Sequence, residues 1–148
     1  MNVEDLARRH FDSGYNCAES VLLVAARECG LVGPNATSLI PRIATGFGGG
    51  IARNGNICGA LAGGVMAISL ALGREKPEES RDPSYGAADR FYNDFVKAFG
   101  TYRCREITGV DLKTLKGQEA YQDKIHRERC SPIVGWAAER ACQIIREA

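Results

Sequence analysis

The sequence predicts an all-α protein, a single-domain bundle of six to seven helices around a central helix rich in glycine and alanine. Three observations predict it. No segment of four or more residues alternates polar and apolar side chains as a half-buried strand does. Helix start and stop signals recur along the chain. With 148 residues, the chain can bury a core without disulfides, so one domain over residues 1–148 is the simplest organisation.

The first part of the chain is predicted to form three helices. The stretch VEDLARRHF is the first. The second, NCAESVLLVAAREC, begins after Asn16, whose side chain is expected to cap it and to pair with Glu19 in a capping box, and Gly30 ends it. Ser38 is expected to cap the third, LIPRIATGF. The stretch GFGGGIARNGN is predicted to be irregular, because three consecutive glycines disfavour both helix and strand.

The remaining helices surround the predicted central helix, which runs from residue 58 to residue 72. A charged loop separates it from SYGAADRFYNDFVKAFG, where Phe91, Phe95 and Phe99 recur at helical spacing and indicate a core stripe. A short turn follows. The stretch QEAYQDKIHRER is predicted to be a polar, exposed helix. The Ser-Pro pair at residues 131–132 predicts the start of the last helix, with proline in its first turn.

Charge and hydropathy exclude several classes of partner. Lys and Arg number 19 and Asp and Glu number 18, which argues against nucleic acid or an anionic membrane as the main partner. The apolar run at residues 57–72 covers 16 residues, fewer than the ~20 that a membrane span needs, so it predicts a buried helix. The stretch MNVEDLARRHF lacks the apolar region of a signal peptide, which predicts a cytoplasmic location.

Cysteines carry the strongest chemical signal. Four of the six are predicted to lie at helix N-termini, where free N–H groups and a partial positive charge favour an anion. These four are Cys17, Cys58, Cys104 and Cys130. Because such positions lower a thiol pKa from ~8.5 to ~3.5–7.5, we expect Cys58 to be a thiolate near neutrality. Cys29 and Cys142 do not share this placement and are interpreted as buried core residues.

Glycines surround the same positions. Gly59 and Gly63 would let another backbone come close, one that carries a partner cysteine. Gly48, Gly49 and Gly50 would present N–H groups to an anion as a nest. The alternative interpretation of these glycines is close helix packing without any ligand.

Several other chemistries lack support in the sequence. There is no C-x-x-C, so neither a thioredoxin-type pair nor a zinc knuckle is indicated. There is no C-x-x-C-H, so covalent haem is not supported. His126 lies in a highly charged helix and is interpreted as solvent-facing rather than as a base.

The hexapeptide CGALAG at residues 58–63 follows GYNCA at residues 14–18 and precedes two further cysteines. This arrangement resembles the C-GCAxxG-C-C family of small bacterial and archaeal proteins, which is described as redox-active, and the resemblance covers nearly the whole chain. It implies that the family's four characteristic cysteines correspond to Cys17, Cys58, Cys104 and Cys130. The family is also similar to the non-haem part of the split-Soret cytochromes, which implies an α-helical, dimer-forming fold without the haem.

Three functions remain open at this stage. In the first, the four cysteines exchange between dithiol and disulfide with an unidentified redox partner, Cys58 attacking and another thiol resolving. In the second, they ligate an iron–sulfur cluster or zinc. In the third, they are packing residues of a non-catalytic binding or structural module. A homodimer is expected from the small-residue face of the central helix.

Overall fold

A computed structural model describes residues 1–148 and confirms the all-α class. The α-helices are α1 (Val3–Asp12), α2 (Cys17–Glu28), α3 (Ile40–Ala44), α4 (Gly59–Leu72), α5 (Asp82–Phe99), α6 (Cys104–Thr108), α7 (Leu115–Ala120) and α8 (Ser131–Glu147). A π-helix, Tyr121–Cys130, joins α7 to α8 without a break. If α7, the π-helix and α8 are counted as one continuous helix, the chain forms seven helices. No strand forms, and none of the helices combines the length and apolar character that a membrane crossing needs.

Helix α2 begins where the sequence predicts. The side chain of Asn16 accepts a hydrogen bond from the backbone N–H of Glu19 at 2.9 Å, and the Glu19 carboxylate accepts one from the N–H of Asn16 at 2.9 Å. This capping box satisfies two of the N–H groups that a helix start leaves free. Two further contacts tie it to the 3₁₀ turn at residues 45–47, since Asn16 Nδ2 donates to the carbonyl oxygen of Thr45 and the Thr45 hydroxyl donates to Glu19.

Helices α2 and α4 share the centre of the bundle. α2 buries every residue from Ser20 to Ala26 and packs against α1, α3, α4 and α8. Each of its two fully buried leucines contributes about 1.5–3 kcal/mol of burial free energy. α4 packs against α2, α5 and α8, as predicted for a central helix. The small-residue face on which we based a homodimer is therefore buried inside the chain: a Cβ at Gly63 would lie 2.6 Å from the carbonyl oxygen of Ala18, and one at Gly64 would collide with the Phe91 ring.

The phenylalanine stripe of α5 is core, as predicted. Phe91 and Phe95 are fully buried and Phe99 is half-buried. All three rings pack against Trp136 of α8, with ring centroids between 5.1 and 6.1 Å apart. These aromatic contacts attach α5 to α8 along one side of the bundle.

The irregular stretch after α3 has a rare conformation. Five consecutive residues, from Gly49 to Arg53, have positive φ angles between 48° and 68°. The last three are not glycines, and each costs roughly 1–2 kcal/mol in the left-handed region. Backbone hydrogen bonds hold the turn from within: the N–H of Gly55 donates to the oxygen of Gly49 at 3.0 Å, and that of Asn56 to Gly50 at 2.9 Å.

One predicted helix start is wrong, and another is right only in part. Ser38 makes no capping hydrogen bond, and α3 begins after Leu39. The α-helix α8 does begin at Ser131, as the Ser-Pro pair predicts, but the π-helix runs directly into it, so no free N-terminus forms there. Pro132 lacks an N–H and would crowd the carbonyl four residues earlier in an ordinary α-helix, so the wider π-helical turn before it accommodates the proline.

Candidate functional site

One cavity of about 470 Å³ brings together the four cysteines that the sequence singled out. They come from the start of α2, the start of α4, the start of α6 and the last residue of the π-helix. They are Cys17, Cys58, Cys104 and Cys130. Ile107, Leu112, Ile133 and Val134 give the cavity an apolar wall. Residues far apart in the chain thus form one thiol-rich site.

Cys17 is the first residue of α2, and its sulfur lies against Gly59 of α4. A Cβ at Gly59 would collide with that sulfur and would also lie 2.9 Å from the carbonyl oxygen of Phe47. The close approach expected at Gly59 is therefore present, and it involves a cysteine. The absence of a side chain at this position lets the Cys17 thiol sit next to the residue that follows Cys58.

A single antiparallel β-bridge between Ile57 and Arg103 aligns the segments that carry Cys58 and Cys104. The N–H of Cys58 donates to the oxygen of Tyr102 at 2.8 Å, and the N–H of Cys104 donates to the oxygen of Asn56 at 2.7 Å. Both cysteines are 8 % exposed. These two backbone hydrogen bonds, which the sequence did not indicate, hold the second and third thiols on adjacent chain segments.

Three of the four cysteines lie at helix N-termini as predicted, and one does not. Cys17 and Cys104 are the first residues of α2 and α6, and Cys58 caps α4. Cys130 lies inside a continuous helix, at the junction of the π-helix and α8. Its predicted place at a free helix start is wrong, because the π-helix continues directly into α8 and leaves no free N–H groups there.

Burial determines the ionisation of these thiols. It raises the pKa of Cys17, raises that of Cys58 well above its ordinary value, and raises the pKa of Cys104 to about 11 and that of Cys130 to about 12. After burial, the next contribution to the raised pKa of the other three is the charge that Cys17 would carry. An ionised Cys17 would therefore disfavour ionisation of each of the other three thiols.

The expected thiolate at Cys58 near neutrality is wrong. The backbone N–H groups of Ala60 and Leu61, in the first turn of α4, do lower the pKa of Cys58, as a helix start should. Loss of solvent around the sulfur outweighs them and favours the neutral thiol. Around Cys17, the N–H groups of Gly49 and Gly59 also favour the thiolate, and burial again outweighs them.

The three glycines at residues 48–50 lie beside the cavity and contact two of its cysteines. Gly48 and Gly49 line the cavity, and the N–H of Gly49 donates to the Cys17 sulfur. A Cβ at Gly50 would lie 2.7 Å from Cβ of Cys104, so this glycine lets the left-handed turn approach α6. Binding of an added anion by this triplet stays a prediction.

Sequence reasoning missed several polar residues of the cavity, and Tyr121 and Arg53 are the two of them that can carry a charge. Tyr121, the first residue of the π-helix, faces the thiols, and burial followed by the nearby cysteines raises its pKa. Arg53, which is exposed, is the one charged side chain of the lining. Tyr121 stood in a helix predicted to be exposed and polar, so no local pattern marked it. His126 in the same segment is half-buried and stacks on Phe11, with ring centroids 3.9 Å apart, instead of facing solvent.

The site does not have the geometry of a single-ion centre. No three histidine, cysteine, aspartate or glutamate side chains lie close enough together to hold one metal ion. All six cysteines are free thiols in this structure. Cys29 and Cys142 do not line the cavity and pack against the hydrophobic core.

Most of the chain matches the model of one protein family. The model of a family described as "Putative redox-active protein (C_GCAxxG_C_C)" matches residues 15–144. The chain belongs to this family. The residues that match the C_GCAxxG_C_C model include all four cavity cysteines.

A relative of this C_GCAxxG_C_C protein comes from Archaeoglobus fulgidus and bears the name "Uncharacterized protein". The two are 29 % identical over 133 residues, which cover 84 % of this chain and 80 % of the relative. No solved structure matches the chain. In this chain the motif reads Cys58-Gly59-Ala60, and the contact between Gly59 and the Cys17 sulfur requires glycine directly after Cys58.

Proposed function

We propose that the protein carries out thiol–disulfide exchange, with Cys58 and Cys17 as its reactive pair inside the cavity. The observation that carries this proposal is the contact of the Cys17 sulfur with Gly59, the residue that directly follows Cys58 in the chain. Exchange within a protein needs two sulfurs that can reach one another, and these two belong to touching helix starts. The family description, redox-active, agrees with this chemistry.

The exchange consumes one substrate disulfide. The Cys58 sulfur attacks a substrate sulfur and breaks the S–S bond, and the released substrate thiolate takes up the proton that Cys58 loses. The Cys17 sulfur then attacks Cys58, forms the Cys17–Cys58 disulfide and releases the second substrate thiol, which takes the proton of Cys17. Two protein thiols are oxidised and one disulfide is reduced to two thiols.

The raised pKa values fit a thiol that reacts only with a bound substrate. A thiol that stays protonated in an apolar cavity attacks slowly, because the thiolate is the nucleophile. Its intrinsic nucleophilicity is high once it ionises, since nucleophilicity rises with thiol pKa. Arg53 at the cavity and the helix start of α4 provide positive potential for the developing thiolate.

Thiol mapping tests the proposal. The chain with Cys29→Ala and Cys142→Ala retains only the four cavity thiols, and it is incubated with 2-hydroxyethyl disulfide at pH 8.5 and mapped by mass spectrometry. We expect a peptide that links Cys17 to Cys58. Cys17→Ser in the same background should leave a mixed disulfide on Cys58, because the proposed resolving thiol is absent. Four free thiols after incubation, or links that never include Cys17 or Cys58, would overturn the proposal.

A second candidate, an iron–sulfur cluster, is favoured by one observation: four cysteines from four elements line the same cavity. Cysteine thiolates are the usual ligands of such clusters, and Cys17, Cys58, Cys104 and Cys130 would hold one. A single zinc ion fits less well, because no three of these side chains are within reach of one ion. A cluster would supply one-electron transfer when bound.

Iron and sulfide analysis of protein purified without oxygen distinguishes the candidates. A cluster would give iron and inorganic sulfide in equal amounts with a visible absorption band, and both would be lost in Cys104→Ser and Cys130→Ser. Thiol exchange alone would give a colourless, iron-free protein in which these two substitutions leave the Cys17–Cys58 link intact.

A further inference from the structure

A second pair of cysteines lies outside the cavity. The sulfurs of Cys29 and Cys142 are 2.9 Å apart, which is about 0.9 Å longer than a disulfide bond of ~2.05 Å. Cys29 is the C-terminal cap of α2, and Cys142 lies inside α8. Both residues pack against the hydrophobic core, as predicted, and their sulfurs are also in direct contact.

This pair is distinct from the candidate redox site. Cys29 is twelve residues along α2 from Cys17, a distance of about 18 Å at 1.5 Å per helical residue. Neither Cys29 nor Cys142 lines the cavity. The two thiol groups therefore sit at opposite ends of α2, and chemistry at one end does not require the other.

The environment of the pair is asymmetric. Cys29 is half-buried, so a small reagent in solvent can reach its sulfur, whereas Cys142 is fully buried. Burial raises the pKa of Cys142, and the contact with Cys29 raises it further. The exposed partner is thus positioned to react first and the buried partner to resolve.

We propose that Cys29 and Cys142 form a second, reversible disulfide site, which joins the end of α2 to α8 when a small aliphatic disulfide is available as oxidant. The Cys29 sulfur attacks the reagent, breaks its S–S bond and releases one thiol, which carries the proton of Cys29. The Cys142 sulfur then attacks Cys29, releases the second thiol with its own proton and closes the protein disulfide. A small thiol in excess reverses both steps.

Closure of this disulfide has a structural consequence. It links positions 113 residues apart in the sequence, so it removes much of the freedom of the unfolded chain. The sulfurs are already in contact, and the folded state therefore changes little. We expect the melting temperature to rise by about 10 °C on oxidation, from the loop length and the size of the protein.

The test uses a variant that lacks the cavity thiols: Cys17→Ser, Cys58→Ser, Cys104→Ala and Cys130→Ala. After incubation with 2-hydroxyethyl disulfide, we expect loss of both remaining thiols, a mapped Cys29–Cys142 peptide and the higher melting temperature. Dithiothreitol should reverse all three. This background fails or succeeds independently of the proposed Cys17–Cys58 exchange.

Two single substitutions in the full chain serve as matched controls, and they apply even if the fourfold variant does not fold. Cys142→Ser should trap a mixed disulfide on Cys29, because the resolving thiol is gone. Cys29→Ser should leave Cys142 unmodified, because Cys142 is buried. Two free thiols at these positions after incubation of the full chain, or a stable mixed disulfide on Cys29 with Cys142 free, would overturn the proposal.

Discussion

Gly59 has no room for a side chain, and this lets the Cys17 sulfur lie against the residue that follows Cys58. A Cβ there would collide with the sulfur of Cys17 and crowd the carbonyl oxygen of Phe47. A collision with backbone on one side and a buried sulfur on the other leaves no flexible group that can move away. The stability of the site therefore depends on glycine at this position.

Gly59→Ala should lower the free energy of unfolding by about 1–3 kcal/mol, as overpacked core positions do. Gly86→Ala is the matched control, because Gly86 lies in α5 with open space where its Cβ would be. Alanine favours a helix over glycine, so that variant should gain up to about 1 kcal/mol. Urea denaturation measures both. Equal stabilities for the two variants would contradict the packing that we describe.

At the scale of elements, the start of α2 does more than begin a helix. Its capping box is tied to the turn before the glycine triplet through Asn16 Nδ2 and the Thr45 hydroxyl. The same helix start carries Cys17. The cap therefore positions the Cys17 thiol relative to the left-handed turn beside the cavity.

Asn16→Ala should cost about 1–2 kcal/mol of stability and should speed alkylation of Cys17 by iodoacetamide, because the turn over the cavity loses its anchor. Asn2→Ala is the control: Asn2 caps α1 with one exposed hydrogen bond and touches no part of the site. It should cost about 0.5–1 kcal/mol and leave the alkylation rate unchanged. A Cys17 rate in Asn16→Ala equal to that of the intact protein would show that the cap does not control the site.

The same elements show which features a sequence can predict. The capping box of α2 and the end of α4 at Leu72 are encoded within a few residues, and local patterns predicted both. The bridge between Ile57 and Arg103 depends on residues 46 positions apart, so no local pattern reveals it. The π-helix was not predicted either, because no local pattern marks it.

The candidate site divides in the same way. Helix starts predicted the positions of three cysteines, but burial, which depends on the whole fold, reversed the expected direction of the pKa of Cys58. Contact between Cys29 and Cys142 likewise arises from the packing of α2 on α8. The cytoplasmic location and the homodimer stay predictions, and the homodimer no longer has the small-residue face of α4 as its basis.

At the scale of the whole molecule, the buried thiols make stability depend on pH. Burial raises the pKa of Cys104 from its ordinary value of 9.0 to about 11. Below pH 9 the thiol is protonated in both the folded and the unfolded chain, and its contribution to stability is fully present. Between pH 9 and 11 the unfolded chain releases the proton while the folded chain keeps it, so stability falls as the pH rises. Cys130, with a pKa of about 12, acts in the same direction over a wider range.

Cys104→Ala removes one of these titrating thiols. The difference in free energy of unfolding between the intact protein and this variant should therefore become smaller as the pH rises. At pH 7 the variant should be less stable, because it loses buried volume. By pH 11 the gap should have narrowed by about 1 kcal/mol, the expected size for a partly solvated group. Val65→Ala, a truncation without a titrating group against the same core, should keep a constant gap in urea denaturation from pH 7 to 11. If the Cys104→Ala gap also stayed constant, the thiol would titrate alike in the folded and unfolded chains, which would contradict the burial of Cys104 that we describe.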